Sequence, residues 1–245
     1  MNPELYDAHD RLEDRHWWFE GRRRVIREVM QRHLLPRAQR RILDVGCGTG
    51  GMFPLLSEFG EVDGAEAAPD ALERARRKFP LRRIESCALP DQVPEGQWDV
   101  VTAFDVIEHL DEPIASLRTM RSRLPWDGQM VITVPAFQFL WSRHDEANHH
   151  RRRYSRLQLV SELSSAGLKV TFVSYFNTVL FPAVAGVRLL EKLLPSRVEA
   201  AGADLEETKE PINRLLTTIF GAERFAVGRT QLPFGVSLIA VAQKA

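Results

Sequence analysis

The stretch Leu43-Asp44-Val45-Gly46-Cys47-Gly48-Thr49-Gly50-Gly51 constrains this chain more than any other. The short apolar run Arg41–Val45 reads as a buried strand that passes directly into glycines. Glycines at that point let the backbone turn tightly and approach a ligand closely. A helix that follows offers its first amides to an anionic group. Read as Gly46-x-Gly48-x-x-Gly51, the loop fits a dinucleotide site; read as Asp44-x-Gly46-x-Gly48-x-Gly50, it fits a different ligand. A glycine pattern alone is weak evidence, so its neighbours decide. Asp44 places a carboxylate where an ammonium group is welcome and a pyrophosphate is repelled. Glu66 ends the next apolar run 20 residues after Gly46, the spacing of an acid that grips ribose hydroxyls. NAD sites share that second feature, so it does not discriminate.

The rest of the chain alternates helix-like and strand-like patterns. Residues 21–35 predict an amphipathic helix through Val25, Ile26, Val29, Met30 and Leu34. Strands are expected at 41–45, 61–65, 82–86, 98–104, 129–134, 169–175 and 236–242. Helices are expected at 51–59, from Pro69 to Phe79, at 114–124, and from a serine cap at Ser155 to Ala166 before Gly167. This order implies parallel βαβ units and a doubly wound α/β sheet. An insertion over 177–232 separates the last two strands. It holds an apolar helix from Val179 to Leu194, an acidic stretch (Glu199, Asp204, Glu206, Glu207, Glu210) and a second apolar run from Ile212 to Phe220.

Composition narrows the function. In 245 residues, 33 Lys+Arg balance 33 Asp+Glu, which argues against a nucleic-acid partner. Only five of the basic residues are lysine (Lys78, Lys169, Lys192, Lys209, Lys244), and arginine favours bidentate contact with carboxylate or phosphate. The two cysteines, Cys47 and Cys87, fit neither a disulfide scaffold nor a metal spacing. The charged N-terminus lacks the apolar core of a secretory signal. No run approaches the roughly 18 apolar residues of a membrane span. A cytoplasmic location is the expectation.

Together, LDVGCGTGG at 43–51, GAEAAPDAL at 64–72 and WDVVTAFDVIEHLDEP at 98–113 resemble the class I S-adenosylmethionine-dependent methyltransferases. The resemblance covers about 40–175 and the final strand. It implies a Rossmann-like, seven-stranded, mostly parallel sheet with an antiparallel C-terminal strand. One methyltransferase domain then spans 1–245: an N-terminal cap or lid (1–40), the cofactor core (41–176), the helical insertion (177–232) and the last strand (233–245). By the resemblance, Gly46, Cys47, Gly48 and Gly50 wrap the methionine end of the cofactor and Asp44 meets its amino group. Glu66 and Ala67 lie at the ribose, Cys87 and Ala88 flank the adenine, and Phe104, Asp105 and Val106 lie beneath. The product is S-adenosylhomocysteine. No acid follows the third strand, which leaves adenine to backbone or water.

Two clusters face the acceptor. His16-Trp17-Trp18-Phe19-Glu20-Gly21-Arg22-Arg23-Arg24 reads as an aromatic lid, with Trp18 and Arg22 expected at the acceptor. Trp141-Ser-Arg-His144-Asp145-Glu146-Ala-Asn148-His149-His150-Arg151-Arg152-Arg153-Tyr154-Ser155 follows the fifth strand, at the edge where doubly wound sheets bind ligands. His149 and His109 are the expected bases for an acceptor hydroxyl, and His144 and Arg152 its expected contacts. Arg152 or Arg153 could equally pair with Asp145 and Glu146. The tryptophan pair and Asp105-Val-Ile-Glu108-His109 also faintly resemble ubiquinone-pathway O-methyltransferases, in which such a step could hold a divalent metal; no metal is assigned here. The expected reaction is O-methylation of a small-molecule or lipid-like acceptor, anionic groups included. Peripheral membrane contact through the 177–232 stripe is open, as is a monomer or a homodimer. The alternatives are a non-catalytic cofactor-binding partner subunit and an NAD-dependent oxidoreductase.

Overall fold

The computed structural model describes residues 11–193 and 208–245. Expectations for residues 1–10, for Leu194 and for Glu199, Asp204, Glu206 and Glu207 lie outside the described residues. The centre is a seven-stranded sheet of order β3-β2-β1-β4-β5-β7-β6. Its parallel members are β1 (Arg41–Val45), β2 (Glu61–Glu66), β3 (Ile84–Ser86), β4 (Val100–Phe104) and β5 (Gln129–Pro135). The reversed β7 (Ser237–Lys244) lies between β5 and β6 (Leu168–Phe176), antiparallel to both. β4 and β5 are buried along their whole length, as apolar strands covered on both faces must be.

Two apolar layers flank the sheet. One packs Trp98, Leu117, Met120, Tyr154, Leu159 and Leu163 beneath α4 (Pro113–Ser122) and α6 (Arg156–Ser165). Ser155 caps α6 by accepting from Gln158 N–H, and Gly167 takes φ +80 after its end. The other layer packs α1 (Trp17–His33), α2 (Phe53–Leu56) and α3 (Pro69–Lys78) through Val25, Ile26, Val29, Met30, Phe53 and Leu72. α1 starts four residues earlier than the pattern 21–35 predicts. His16 accepts from Trp18 N–H and so begins the helix within the aromatic run. The helix predicted at 51–59 shrinks to α2, because the glycine turn runs on through residue 52.

The insertion divides. α7 (Phe181–Leu193) lies over the carboxyl ends of the strands, while α8 (Glu210–Ala222) packs on α1. Gly21 permits the latter: a Cβ there would lie 2.4 Å from the Phe220 ring. Asn213 reinforces it by accepting from Trp17 N–H and donating to the Arg15 carbonyl. Among the described residues no helix is long and apolar enough to cross a membrane.

Candidate active site

A cavity of about 490 Å³ opens at the carboxyl ends of β1, β4 and β5. Its floor is the glycine loop. Gly46, Gly48 and Gly50 have φ of +70, +56 and +88, values that L side chains avoid. A Cβ on Gly46 would press Val106 at 2.5 Å, whereas one on Gly48 would meet nothing within 4 Å. Gly48 is thus a cradle that a side chain would fill. Asp44 is 2 % exposed and accepts from Thr102 Oγ1 at 2.6 Å. Burial pushes its carboxyl up to about 7, against the lowering effects of Thr102 and Arg22. A cationic group arriving beside it would supply what burial removes.

Cys47, Phe104 and Asp105 line the same cavity. Val106 does not; it supports Gly46 from below. Glu66, Ala67, Cys87 and Ala88 also lie off the cavity wall. The Glu66 oxygens accept from Gly48 N–H and Ala68 N–H, both at 2.8 Å, while each keeps a second lone-pair direction. Ala67 and Ala88 are exposed.

α1 forms one wall with Trp17, Trp18, Phe19, Arg22 and Arg23. Arg22 turns inward. Its Nη2 lies 2.6 Å from Asp105 Oδ2 and donates to Thr133 Oγ1 at 3.0 Å, and its guanidinium stacks over Trp18 and Phe104. Asp105, held at φ +56, also accepts from Thr133 Oγ1. Arg22 is therefore engaged with protein groups at the place where an acceptor anion was expected.

The opposite wall is a histidine cluster, most of it carried by α5 (Arg143–Ala147) and the residues that follow it. His149, one of the two expected bases, is exposed and off the cavity wall, at φ +57. Its neighbour His150 lines the cavity. His150 Nδ1 is 2.8 Å from Asp145 Oδ1, and its Nε2 is 4.0 Å from Glu108 Oε1. Asp145 is fully buried and also accepts from Arg153 Nε at 2.8 Å. Burial alone would raise its carboxyl, but His150 and Arg153 outweigh burial and hold it well below the usual carboxylate range. His109 does line the cavity, and burial, with His150 beside it, lowers its ring to about 4. It is a neutral imidazole at pH 7. His144 lines the cavity near Asn148. Arg152 does not; it donates to the Leu110 carbonyl, and Arg151 donates to the His109 carbonyl. The second arginine run thus clamps the turn that carries Glu108 and His109.

The expected site residues omit Glu13, Glu108, His150 and Asn177, all on the cavity wall. Glu108 is wholly buried with both oxygens lacking a hydrogen-bond partner, and burial, then Asp105, raises its carboxyl well above the usual range. Glu108, His109 and His150 bring one ligand-type atom each within 4.8 Å of one another.

A sheet with a reversed seventh strand, an acidic end on β1 and a glycine loop on the cavity floor define the class I S-adenosylmethionine-dependent methyltransferases. The model of a family described as a methyltransferase domain matches residues 18–173, and the chain belongs to that family. It is 31% identical over 118 residues to a ubiquinone biosynthesis O-methyltransferase of Albidiferax ferrireducens, a match covering 42% of this chain and 46% of that one. The chain therefore spans about half the length of that curated relative. Among solved structures, a chain from the complex of the Haloferax volcanii Trm112 methyltransferase activator with a methyltransferase aligns over 98% of this chain and 94% of its own. Its TM-score is 0.62 and its identity 15%. Geranyl diphosphate C-methyltransferase from Streptomyces coelicolor, solved with Mg2+, geranyl-S-thiolodiphosphate and S-adenosyl-L-homocysteine, aligns over 89% and 74% at TM-score 0.58 and 12% identity. At these identities the likeness is one of fold.

Proposed function

We propose that this chain transfers the methyl group of S-adenosylmethionine to the oxygen of a small-molecule acceptor. The observation that carries the reading is the buried Asp44 beside the open Gly48 cradle, in one cavity with His109 and His150. The residues fit the cofactor: Asp44 offers a carboxylate to its amino group, and Gly48 leaves room against its backbone. Bound there, the cofactor supplies an activated methyl group to an in-line nucleophile, so positioning accounts for much of the rate. α1 closes one side through Trp17 and Trp18, and α7 closes another through Val184 and Val187.

The acceptor's proton goes to a histidine of the wall. His150 suits this better than His149. Asp145 fixes its Nδ1 side, which leaves Nε2 toward the cavity as the proton acceptor. The apolar side chains of α1 and α7 favour an acceptor with an apolar body, in keeping with the small-molecule or lipid-like class. Calorimetry tests the reading: S-adenosylhomocysteine is expected to bind with a micromolar dissociation constant and NADH not at all. NADH binding without S-adenosylhomocysteine binding would overturn it.

The buried Glu108, whose oxygens accept no hydrogen bond, favours a second reading, in which a divalent cation assists. One carboxylate and two imidazoles suit such an ion; it would make an acceptor hydroxyl more acidic. Turnover undiminished by EDTA would remove this reading.

A further inference from the structure

Glu13 is an acid that arrives from outside the sheet and is buried against the glycine loop. It is 5 % exposed and lines the cavity. Its Oε2 accepts from Thr49 Oγ1 at 2.8 Å and its Oε1 from Lys78 Nζ at 2.5 Å. Gly51 is shaped to this carboxylate, since a Cβ there would lie 2.3 Å from Glu13 Oε2. Around it, Arg23 holds the Glu13 carbonyl and a turn begins at the buried Leu12, while Asn213 on the Arg15 carbonyl and Thr208 against His16 anchor the end of the segment next to α1.

The placement is unfavourable on charge alone. Asp44, Asp105 and Glu108 already line this cavity, and a fourth acid adds repulsion unless the wall holds groups built for a carboxylate. Thr49 on the wall and Lys78 behind it are such groups. The four arginines of the wall are engaged elsewhere: Arg22 on Asp105, Arg153 on Asp145, Arg188 on Glu191, and Arg23 on the Glu13 carbonyl rather than its carboxylate.

We propose that Thr49 and Lys78 form a carboxylate subsite of the cofactor cavity, which Glu13 holds and for which the carboxylate of the cofactor's amino-acid end competes. This rests on the methyltransferase reading above. If Asp44 meets the ammonium group, the adjoining carboxylate needs a cation on the loop's other side, and Lys78 supplies it. Cofactor binding then expels Glu13 and loosens residues 11–16, so the N-terminal segment reports occupancy of the site.

The test measures binding of S-adenosylhomocysteine and of 5′-methylthioadenosine, which lacks the amino-acid end, to the wild type, Glu13→Gln, Glu13→Ala and Lys78→Met. Both Glu13 variants are expected to bind S-adenosylhomocysteine about fivefold more tightly and Lys78→Met about fivefold more weakly, all with unchanged affinity for 5′-methylthioadenosine. Hydrogen exchange in residues 11–16 is expected to quicken when S-adenosylhomocysteine binds the wild type. Weaker S-adenosylhomocysteine binding by the Glu13 variants would show instead that Glu13 stays and holds the ammonium group. That result, equal changes for both nucleosides, or no change in any variant overturns the subsite and leaves the methyltransferase reading standing. A wild type that binds neither nucleoside overturns the methyltransferase reading, and the subsite falls with it.

Discussion

Arg22 Nη2 on α1 lies 2.6 Å from Asp105 Oδ2 at the end of β4. This pair ties the N-terminal helix to the two central strands, because the same nitrogen also donates to Thr133 on β5. Removing the cation leaves Asp105 beside the buried Glu108 and takes away the Arg22 charge that favours the Asp44 carboxylate. Arg22→Gln is expected to cost on the order of 2 kcal/mol, less than a fully buried pair because Asp105 keeps some exposure to water. Thermal unfolding should show a Tm lowered by about 4–8 °C. An unchanged Tm would mean that the pair is neutral.

Asp44 makes cofactor binding depend on pH. Its carboxyl is raised to about 7, whereas in the unfolded chain it titrates near the ordinary aspartate value of 3.8. The folded state therefore holds a proton that the unfolded state has lost, and stability falls as pH rises between these values. A cation beside Asp44 favours the ionised form. S-adenosylhomocysteine binding should tighten from pH 6 to pH 8 with proton release. Asp44→Asn should bind more weakly at pH 8 and lose this dependence, yet unfold at a higher temperature than the wild type. A Tm at or below that of the wild type at pH 8 would contradict the raised carboxyl.

Gly48→Ala separates fold from site. The strain of a Cβ at φ +56 costs about 1–2 kcal/mol, and no neighbour stands in the way. The variant should fold with a modestly lowered Tm and lose S-adenosylhomocysteine affinity about tenfold or more, because the new methyl group occupies the cradle. Gly46→Ala should instead unfold more readily, since its methyl group meets Val106. Retained affinity in Gly48→Ala would move the cofactor away from this loop.

Asp145→Asn tests the frame of the histidine wall. Asp145 is held below the ordinary carboxylate range, so it contributes stability that is present above about pH 4 and lost as pH falls below it. The wild type should lose Tm steeply on acidification through that window. Asp145→Asn should start lower by about 3 kcal/mol in unfolding free energy, with a flatter acid limb. Parallel acid limbs would assign the acid sensitivity to other carboxylates.

Much of the fold is legible in local sequence. β1, β4 and β5 are mostly apolar because both faces are covered, and α6 begins and ends at Ser155 and Gly167 as their chemistry dictates. The site is less legible, for two physical reasons. His149 and His150 differ by one position, and the left-handed backbone at His149 turns one ring out and the next one in; no periodicity carries that information. The arginine runs suggest anion recognition, but their partners are 42 residues away for Arg151 and Arg152, and on β4 and β5 for Arg22. Such pairings arise only when the sheet assembles. Glu13 is hidden for the same reason, its partners Thr49 and Lys78 lying 36 and 65 residues away.

The close packing of α1 on α8 through Gly21 and Phe220 bears on how such a protein can be recombined. The segment before β1 and the segment before β7 sit at opposite ends of the chain, yet they form one structural unit. A chimera that exchanges 177–232 for the corresponding region of a relative must bring that relative's residues 11–33 with it. Otherwise the new helix meets a surface cut for a different ring. Diversification of the acceptor side is thus expected to proceed by paired replacement of the two segments, with 41–176 kept as a constant chassis.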